Sequence, residues 1–149
     1  MPRERPGATG QMVVNKHRIR VEWAHCDPAD IVFYPNYFAW FDTCTTHLFE
    51  SVGLTAKRFF ADYGVKGFPL LEASAKFYVA SGFGDEIEAE SSVTEWRDKA
   101  FILSHRFLRD GTLLLEGKET RIFVVPHPDD PARIKSIPVP PAVRAKFGD

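Results

Sequence analysis

The sequence predicts an α+β domain, a long antiparallel sheet wrapped around one central helix, on three observations. Between residues 36 and 52, Tyr37, Trp40, Phe41, Cys44, Leu48 and Val52 fall at helical spacing. From about residue 70 onward the pattern changes to period-two alternation, carried through four long stretches. Short turn segments separate those stretches: SGFG at 81–84, RDKA at 97–100 and DG at 110–111, the last a strong hairpin signal.

The elements follow in order. Residues 1–16 carry charge, proline and glycine but no apolar run, and read as a flexible arm without a signal peptide. HRIRVEWAH (17–25) alternates and reads as the first strand, opening a single domain over 17–149. The long helix also carries Phe38, Ala39 and Phe49 off its main stripe, so it is apolar over much of its circumference, as a helix buried in a core should be. Gly53 stops it. TAKRFFADYG (55–64) reads as a shorter helix with an exposed face. In the sheet, Leu71, Ala73, Ala75, Phe77 and Val79 share one face of the first stretch; Ile87, Ala89 and Val93 alternate with Glu86, Glu88 and Glu90 in the second. Phe101, Leu103 and Phe107 share a face of the third, and TLLLEGKETRIFVV (112–125) closes the run. The proline-rich tail reads as a surface segment with a short strand near Ile134 to Ile137. A sheet with open edges and one uncovered face in a one-domain chain calls for a homodimer or larger assembly, with a homotetramer of two dimers expected.

Composition excludes several functions. The formal net charge of -1 leaves no footprint for nucleic acid, so an anionic ligand needs a local basic patch. No stretch approaches the roughly 20 apolar residues of a membrane span. Cys26 and Cys44 are the only cysteines, with neither metal spacing nor a disulfide framework, which suits a reduced cytoplasmic setting.

The segment HCDPADIVFYPNY (25–37) places an acid and two prolines in an apolar loop that feeds the long helix. It resembles the active-site segment of the 4-hydroxybenzoyl-CoA thioesterases, within the hotdog-fold acyl-CoA thioesterases. That family's pattern is matched at Asp27, Pro28, Ala29, Ile31, Val32, Tyr34, Pro35, Asn36 and Tyr37. EWRDKAF (95–101), RIF (121–123) and IPVP (137–140) extend the resemblance over residues 17–141. The chain departs from the pattern at Asp30, where the family carries glycine. A position that needs positive φ is tolerated by Asp less freely than by Gly, and a second carboxylate then stands three residues from Asp27.

Thioester hydrolysis needs a donor for the developing oxyanion, an activated water or nucleophile, and a grip on the long carrier. The first N–H groups of a helix have no intrahelical partner and carry its positive dipole end, and Pro35 suits the first turn. The resemblance implies the Tyr34 backbone amide as oxyanion donor and Asp27 as catalytic carboxylate, acting as nucleophile or as base. It also implies CoA as part of the substrate, without a further cofactor or metal, and puts Lys99, Arg97 and Lys135 near its phosphates.

Simpler readings compete at several positions. An Asp before Pro often only caps a turn, and exposed cations beside a hairpin are often only solvated. His25 and Cys26 suggest a Cys–His nucleophile, but neighbours in an extended strand point to opposite faces. Glu72 is a substitute carboxylate if Asp27 is not the reactive one. His47 reads as a surface or packing residue, and Trp23, Trp40 and Trp96 as core or interface. The functional expectation is an acyl-CoA thioesterase for an aromatic or short-chain acyl group. Its rivals are a fatty-acyl or carrier-protein thioesterase and a non-enzymatic acyl-CoA binding module. A hydratase of the same fold is disfavoured, because position 32 is Val where those enzymes carry a His.

Overall fold

The computed structural model describes residues 12–149; most of the expected arm, residues 1–11, lies outside them. The elements are β1 (Asn15–Arg20), a 3-10 turn (Trp23–His25), α1 (Pro35–Ser51), α2 (Ala56–Tyr63), β2 (Leu70–Phe77), β3 (Glu86–Trp96), β4 (Ala100–Arg109), β5 (Thr112–Pro126), β6 (Ile134–Ile137) and α3 (Pro141–Lys146). The sheet is antiparallel throughout, in the order β1-β3-β4-β5-β2, with β6 added to the end of β5. No helix among the described residues is long and apolar enough to cross a membrane.

Local chemistry accounts for most boundaries. Thr55 caps α2 by accepting the Arg58 N–H, and Gly64 ends it at φ 67°. Asp110 and Gly111 turn the β4–β5 hairpin with φ of 50° and 80°, as an Asp-Gly turn requires.

Three expectations need correction. The first strand does not run to residue 25. It begins at Asn15 and its pairing with β3 ends at Arg20 opposite Glu86, after which His25 Nδ1 accepts the Glu22 N–H at 2.9 Å and the chain coils into the 3-10 turn. In β2, the face expected to be buried is largely open: Leu71 is 62% and Phe77 50% exposed, and the strand meets the core only through Ala75 and through Phe77 against Tyr37, because it is an edge beyond the cover of α1. Finally, the tail is not confined to the surface. Val139, Val143 and Phe147 are buried among Phe49, Phe101 and Phe123, and residues 141–146 form a helix.

α1 lies across the inner face of β3, β4 and β5. Phe41 rests on Gly117, where a Cβ would fall inside the Phe41 ring. Phe49 contacts Phe101, Phe123 and Phe147 at the other end. The core therefore has two apolar halves. One surrounds Tyr37, Phe41, Cys44, Ala89, Phe107 and Leu115; the other surrounds Leu48, Phe49, Val93, Leu103 and Phe123. Between them runs a polar layer. On α1 it is Thr45, on β3 Ser91, on β4 His105, and on β5 Glu119 and Arg121, all buried.

Candidate active site

The loop that carries Asp27 is folded back onto the start of α1 by its own backbone. Cys26 bridges Val32, and the His25 carbonyl accepts both the Phe33 N–H and the Asn36 side-chain amide, each at 2.8 Å. The Val32 N–H donates to the Ser81 carbonyl at 2.8 Å, which ties the loop to the turn before β3. Within the loop, the Asp27 N–H donates to the Ile31 carbonyl and the Asp30 N–H to the Asp27 carbonyl, both at 2.9 Å. Asp30 closes this turn at φ 62°, the left-handed conformation for which glycine is the unstrained choice.

Asp27 is half-buried. Its Oδ1 accepts the Ala29 N–H at 2.8 Å, which fixes the carboxylate, while Oδ2 has no partner among the described residues. Alongside it, the Asn36 N–H donates to the Phe33 carbonyl and the Tyr37 N–H to the Tyr34 carbonyl, and Pro35 has no N–H. The Tyr34 N–H, at the helix start, has no acceptor among the described residues. The first turn carries no acidic side chain to neutralise the dipole there. A carboxylate oxygen and an unpaired amide are thus presented by one short segment, the pair that acyl transfer needs.

Two cavities flank β2. The first, of about 250 Å³, adjoins this segment and is lined by Ile31, Tyr34, Tyr37, Phe77 and Val79. Burial pushes the Tyr37 hydroxyl above its ordinary value, so it stays a neutral phenol. The second, of about 420 Å³, lies at the opposite end of β2, where Phe59, Val65, Phe68 and Pro69 make apolar walls and Asp42 and Arg121 a charged rim. A third concavity of about 430 Å³ lies over Ser74, Ser104, Glu116 and Lys118, mostly from the sheet face turned away from α1, and touches neither Asp27 nor Tyr34.

The expected basic residues are not brought to Asp27 within one chain. Arg97 and Lys99 sit on the β3–β4 turn, and Lys135 is on β6, paired with Val125. All three are exposed at the end of the sheet that holds the α1 C-terminus, so the helix length of roughly 25 Å separates them from Tyr34. Arg97 pairs with Glu95 at 3.3 Å, while Lys99 and Lys135 have no ion-pair partner among the described residues.

The competing residues resolve as follows. His25 turns Nδ1 to a backbone amide and its ring edge to Trp40, while the Cys26 thiol points to the Glu22 carbonyl at 3.7 Å, so the two form no nucleophilic pair. His47 stacks on His17 at 4.2 Å between ring centroids. Glu72 is exposed on the β2 edge. Trp23 is 67% exposed, whereas Trp40 and Trp96 are half-buried. No cluster of three or more metal-ligating side chains occurs among the described residues.

Sequence reasoning missed the polar layer under α1. Glu119 Oε1 accepts from His105 Nε2 at 2.7 Å and from the Thr45 hydroxyl at 2.8 Å; Oε2 accepts from Arg121 at 2.6 Å. His105 Nδ1 meets Ser91 Oγ at 2.6 Å. Arg121 also donates to Asp42 at 2.9 Å and to the Phe68 carbonyl at 3.1 Å. Burial opposes ionisation of Glu119, but the His105 hydrogen bond and the Arg121 charge outweigh it and hold the carboxyl below its ordinary value. A signal existed. His105 stands in phase with Phe101, Leu103 and Phe107, and Glu119 and Arg121 in phase with Leu115 and Phe123, so these charges occupy the apolar phase of their strands.

Known proteins carry the same arrangement of elements. The profile of the thioesterase-like superfamily matches residues 21–147. A 4-hydroxybenzoyl-CoA thioesterase of Pseudomonas sp. (strain CBS-3) is 32% identical over 127 residues, 81% of this chain and 88% of that protein. A crystal structure of a 4-hydroxybenzoyl-CoA thioesterase mutant complexed with 4-hydroxybenzoyl-CoA superposes with a TM-score of 0.83 at 28% identity, covering 91% of this chain and 99% of that one. A gentisyl-coenzyme A thioesterase superposes with a TM-score of 0.75 at 32% identity, covering 91% of this chain and all of the other (100%). A family profile over residues 21–147, and these relatives over most of its length, make this protein a member of the thioesterase-like superfamily, a hotdog-fold thioester hydrolase.

Proposed function

We propose that the protein hydrolyses an aromatic acyl-CoA to the free acid and CoA, with Asp27 as the catalytic carboxylate and the Tyr34 N–H as the oxyanion donor. The observation that carries this reading is the unpaired Tyr34 N–H at an un-neutralised helix start, in the segment that also holds the free Oδ2 of Asp27. As the carbonyl carbon becomes tetrahedral, its oxygen gains charge and shortens its contact with the amide, so the interaction strengthens in the transition state. Asp27 Oδ2 either bonds to the carbonyl carbon or takes a proton from the water that does so. In both routes the C–S bond breaks and the sulfur leaves as a thiolate and takes a proton. Water supplies the second carboxyl oxygen directly in the base route. In the nucleophile route water cleaves the anhydride, so that oxygen comes from water when it attacks the acyl carbon and from Asp27 when it attacks the aspartyl carbon. Single turnover in heavy-oxygen water separates the routes when water cleaves the anhydride at the aspartyl carbon, since label then enters Asp27, whereas the base route puts it only in the product. Trapping an acyl group on Asp27 by rapid quench reads the anhydride whichever carbon water attacks.

The edge strand supports a second copy as part of the site. β2 exposes Leu70 and Leu71 at one end and Phe77 at the other, followed by Tyr78 and Val79, with only Glu72 and Lys76 charged. Antiparallel pairing of two β2 edges sets the Asp27 end of one copy beside the Asp42–Arg121 cavity of the other. The apolar walls of that cavity with one charged pair at the rim suit a flat ring bearing a polar substituent. The same pairing carries the Lys99 end of one copy toward the Asp27 end of its partner, where CoA phosphates need cations. The names of the relatives, 4-hydroxybenzoyl-CoA and gentisyl-coenzyme A thioesterase, agree with an aromatic acyl group. A homodimer, and a tetramer of two such dimers, is the assembly we infer.

The test is a panel of aromatic, short-chain, fatty acyl-CoA and carrier-protein thioesters against wild type and Asp27→Asn. Aromatic acyl-CoA should be turned over fastest, and Asp27→Asn should lose on the order of 10²-fold or more in kcat while remaining folded. Near-wild-type turnover by Asp27→Asn would sink the assignment, and preference for carrier-protein thioesters would move the substrate class.

A further inference from the structure

We infer that the buried hydrogen bond between Thr45 and Glu119 is the pin that sets the axial position of α1, and that these two are positioning residues for the reaction at the helix start. The inference rests on the reading of Tyr34 as oxyanion donor and concerns what holds that donor in place.

Apolar contact alone specifies the position of a helix along a sheet weakly, because burial is non-directional. On either side of Thr45, α1 is held by rings and aliphatic chains: Phe41 over Gly117 and His105 toward its start, Leu48 and Phe49 in the phenyl cluster toward its end. Among the described residues, three side-chain hydrogen bonds join the helix to the sheet: Thr45 to Glu119 at 2.8 Å, a longer one between Thr45 and His105 at 3.4 Å, and Asp42 to Arg121 at 2.9 Å. Asp42 is 67% exposed, so its bond is softer than that of Thr45 to Glu119. Thr45 is fully buried and Glu119 is 1% exposed.

Glu119 cannot move to follow the helix. Arg121 grips Oε2, while His105 grips Oε1 and is itself held by Ser91 on β3, so the carboxylate is fixed to three strands. A buried charged group of this kind adds little net stability compared with apolar residues of the same volume; what it supplies is a directional, single-valued contact. Thr45 reads that fixed point and transmits it. Tyr34 lies eleven residues before Thr45, about 16 Å along a rigid helix, so a shift at Thr45 arrives undiminished at the amide. A misplacement of the donor on the order of 1 Å costs up to about 10²-fold in rate.

The test compares Thr45→Val with Thr45→Ser, beside Asp27→Asn, in the assembled protein with its preferred acyl-CoA. Thr45→Val keeps the shape, deletes the hydroxyl, and leaves Glu119 with His105 and Arg121, so no charge is stranded. We expect kcat to fall about tenfold, equivalent to about 1.4 kcal/mol, with KM within twofold of wild type. Thr45→Ser restores the hydroxyl but loses the methyl; it should lower Tm and keep kcat within twofold. A merely structural Thr45 predicts the reverse order, with the serine variant harmed at least as much as the valine. Should Thr45→Val fail to fold, Thr45→Ala against Thr45→Ser makes the same comparison. Full kcat in Thr45→Val beside an inactive Asp27→Asn overturns the pin alone; full activity in Asp27→Asn overturns the functional reading and the pin with it.

Discussion

The two edges of the sheet are opposites. At the β1 edge, Lys16 reaches Glu88 at 3.5 Å and Glu90 at 4.0 Å, Arg18 reaches Glu86 at 3.7 Å, and Arg20 reaches Glu22 at 2.9 Å. At the β2 edge, Leu70, Leu71 and Phe77 stand about half-exposed or more. Charges along an edge oppose the approach of another strand; an apolar edge invites it. The contrast favours the β2 edge over the β1 edge as the place where the proposed second copy would pair. Both edges belong to one sheet, and the difference lies mainly in side chains, although β2 also carries a register shift between Leu70 and Glu72 that β1 lacks.

The largest expected effect comes from breaking the bare edge. Leu71→Glu alters a side chain that is 62% exposed in the single chain, so circular dichroism should be unchanged. Light scattering should show the monomer, and aromatic acyl-CoA hydrolysis should fall by about 10²-fold, because misplacing half of a site costs on that order. An active Leu71→Glu monomer would mean that one copy suffices. A smaller effect is expected from Lys99→Ala, which asks whether the pairing carries cations to CoA. KM for acyl-CoA should rise about three- to tenfold with kcat unchanged, as for lost uniform binding. KM for the matching acyl-pantetheine should not move; equal damage to both would place the nucleotide elsewhere. The smallest is expected at the opposite edge. Arg18→Ala removes an exposed ion pair and should change unfolding free energy by no more than about 0.5 kcal/mol in a urea titration. A loss of several times that would show the charged edge to be structural.

Much of this arrangement was legible in the residues. Period-two alternation through Ile87, Ala89 and Val93, the Asp-Gly turn at 110–111, and the helical stripe from Tyr37 to Val52 located β3, β4, β5 and α1 closely, because in each case side-chain phase and burial agree. β2 misled for a physical reason. Its alternation is real, but phase tells only which residues share a face, and whether that face is covered depends on where the strand lies in the sheet. α3 was missed because a six-residue helix that opens on Pro141, straight after Pro138 and Pro140, has too few turns to show a period. The Asp27 segment was legible as a motif, and the left-handed turn at Asp30 follows the family's glycine at that position. The buried layer at Thr45, His105 and Glu119 went unread although its phase was visible, because polar residues on an apolar face are easily taken as interruptions of the core.

The contact of Phe41 with Gly117 has a consequence for the chain's history. Every side chain at 117 needs the space that the Phe41 ring occupies, so the two positions behave as a single steric unit. A route from this sequence to one with alanine at 117 has to pass first through a smaller residue at 41, which opens a void beside His105 until the second change fills it. The order of the two changes is therefore constrained, and relatives that carry a side chain at 117 should have a reduced one at 41.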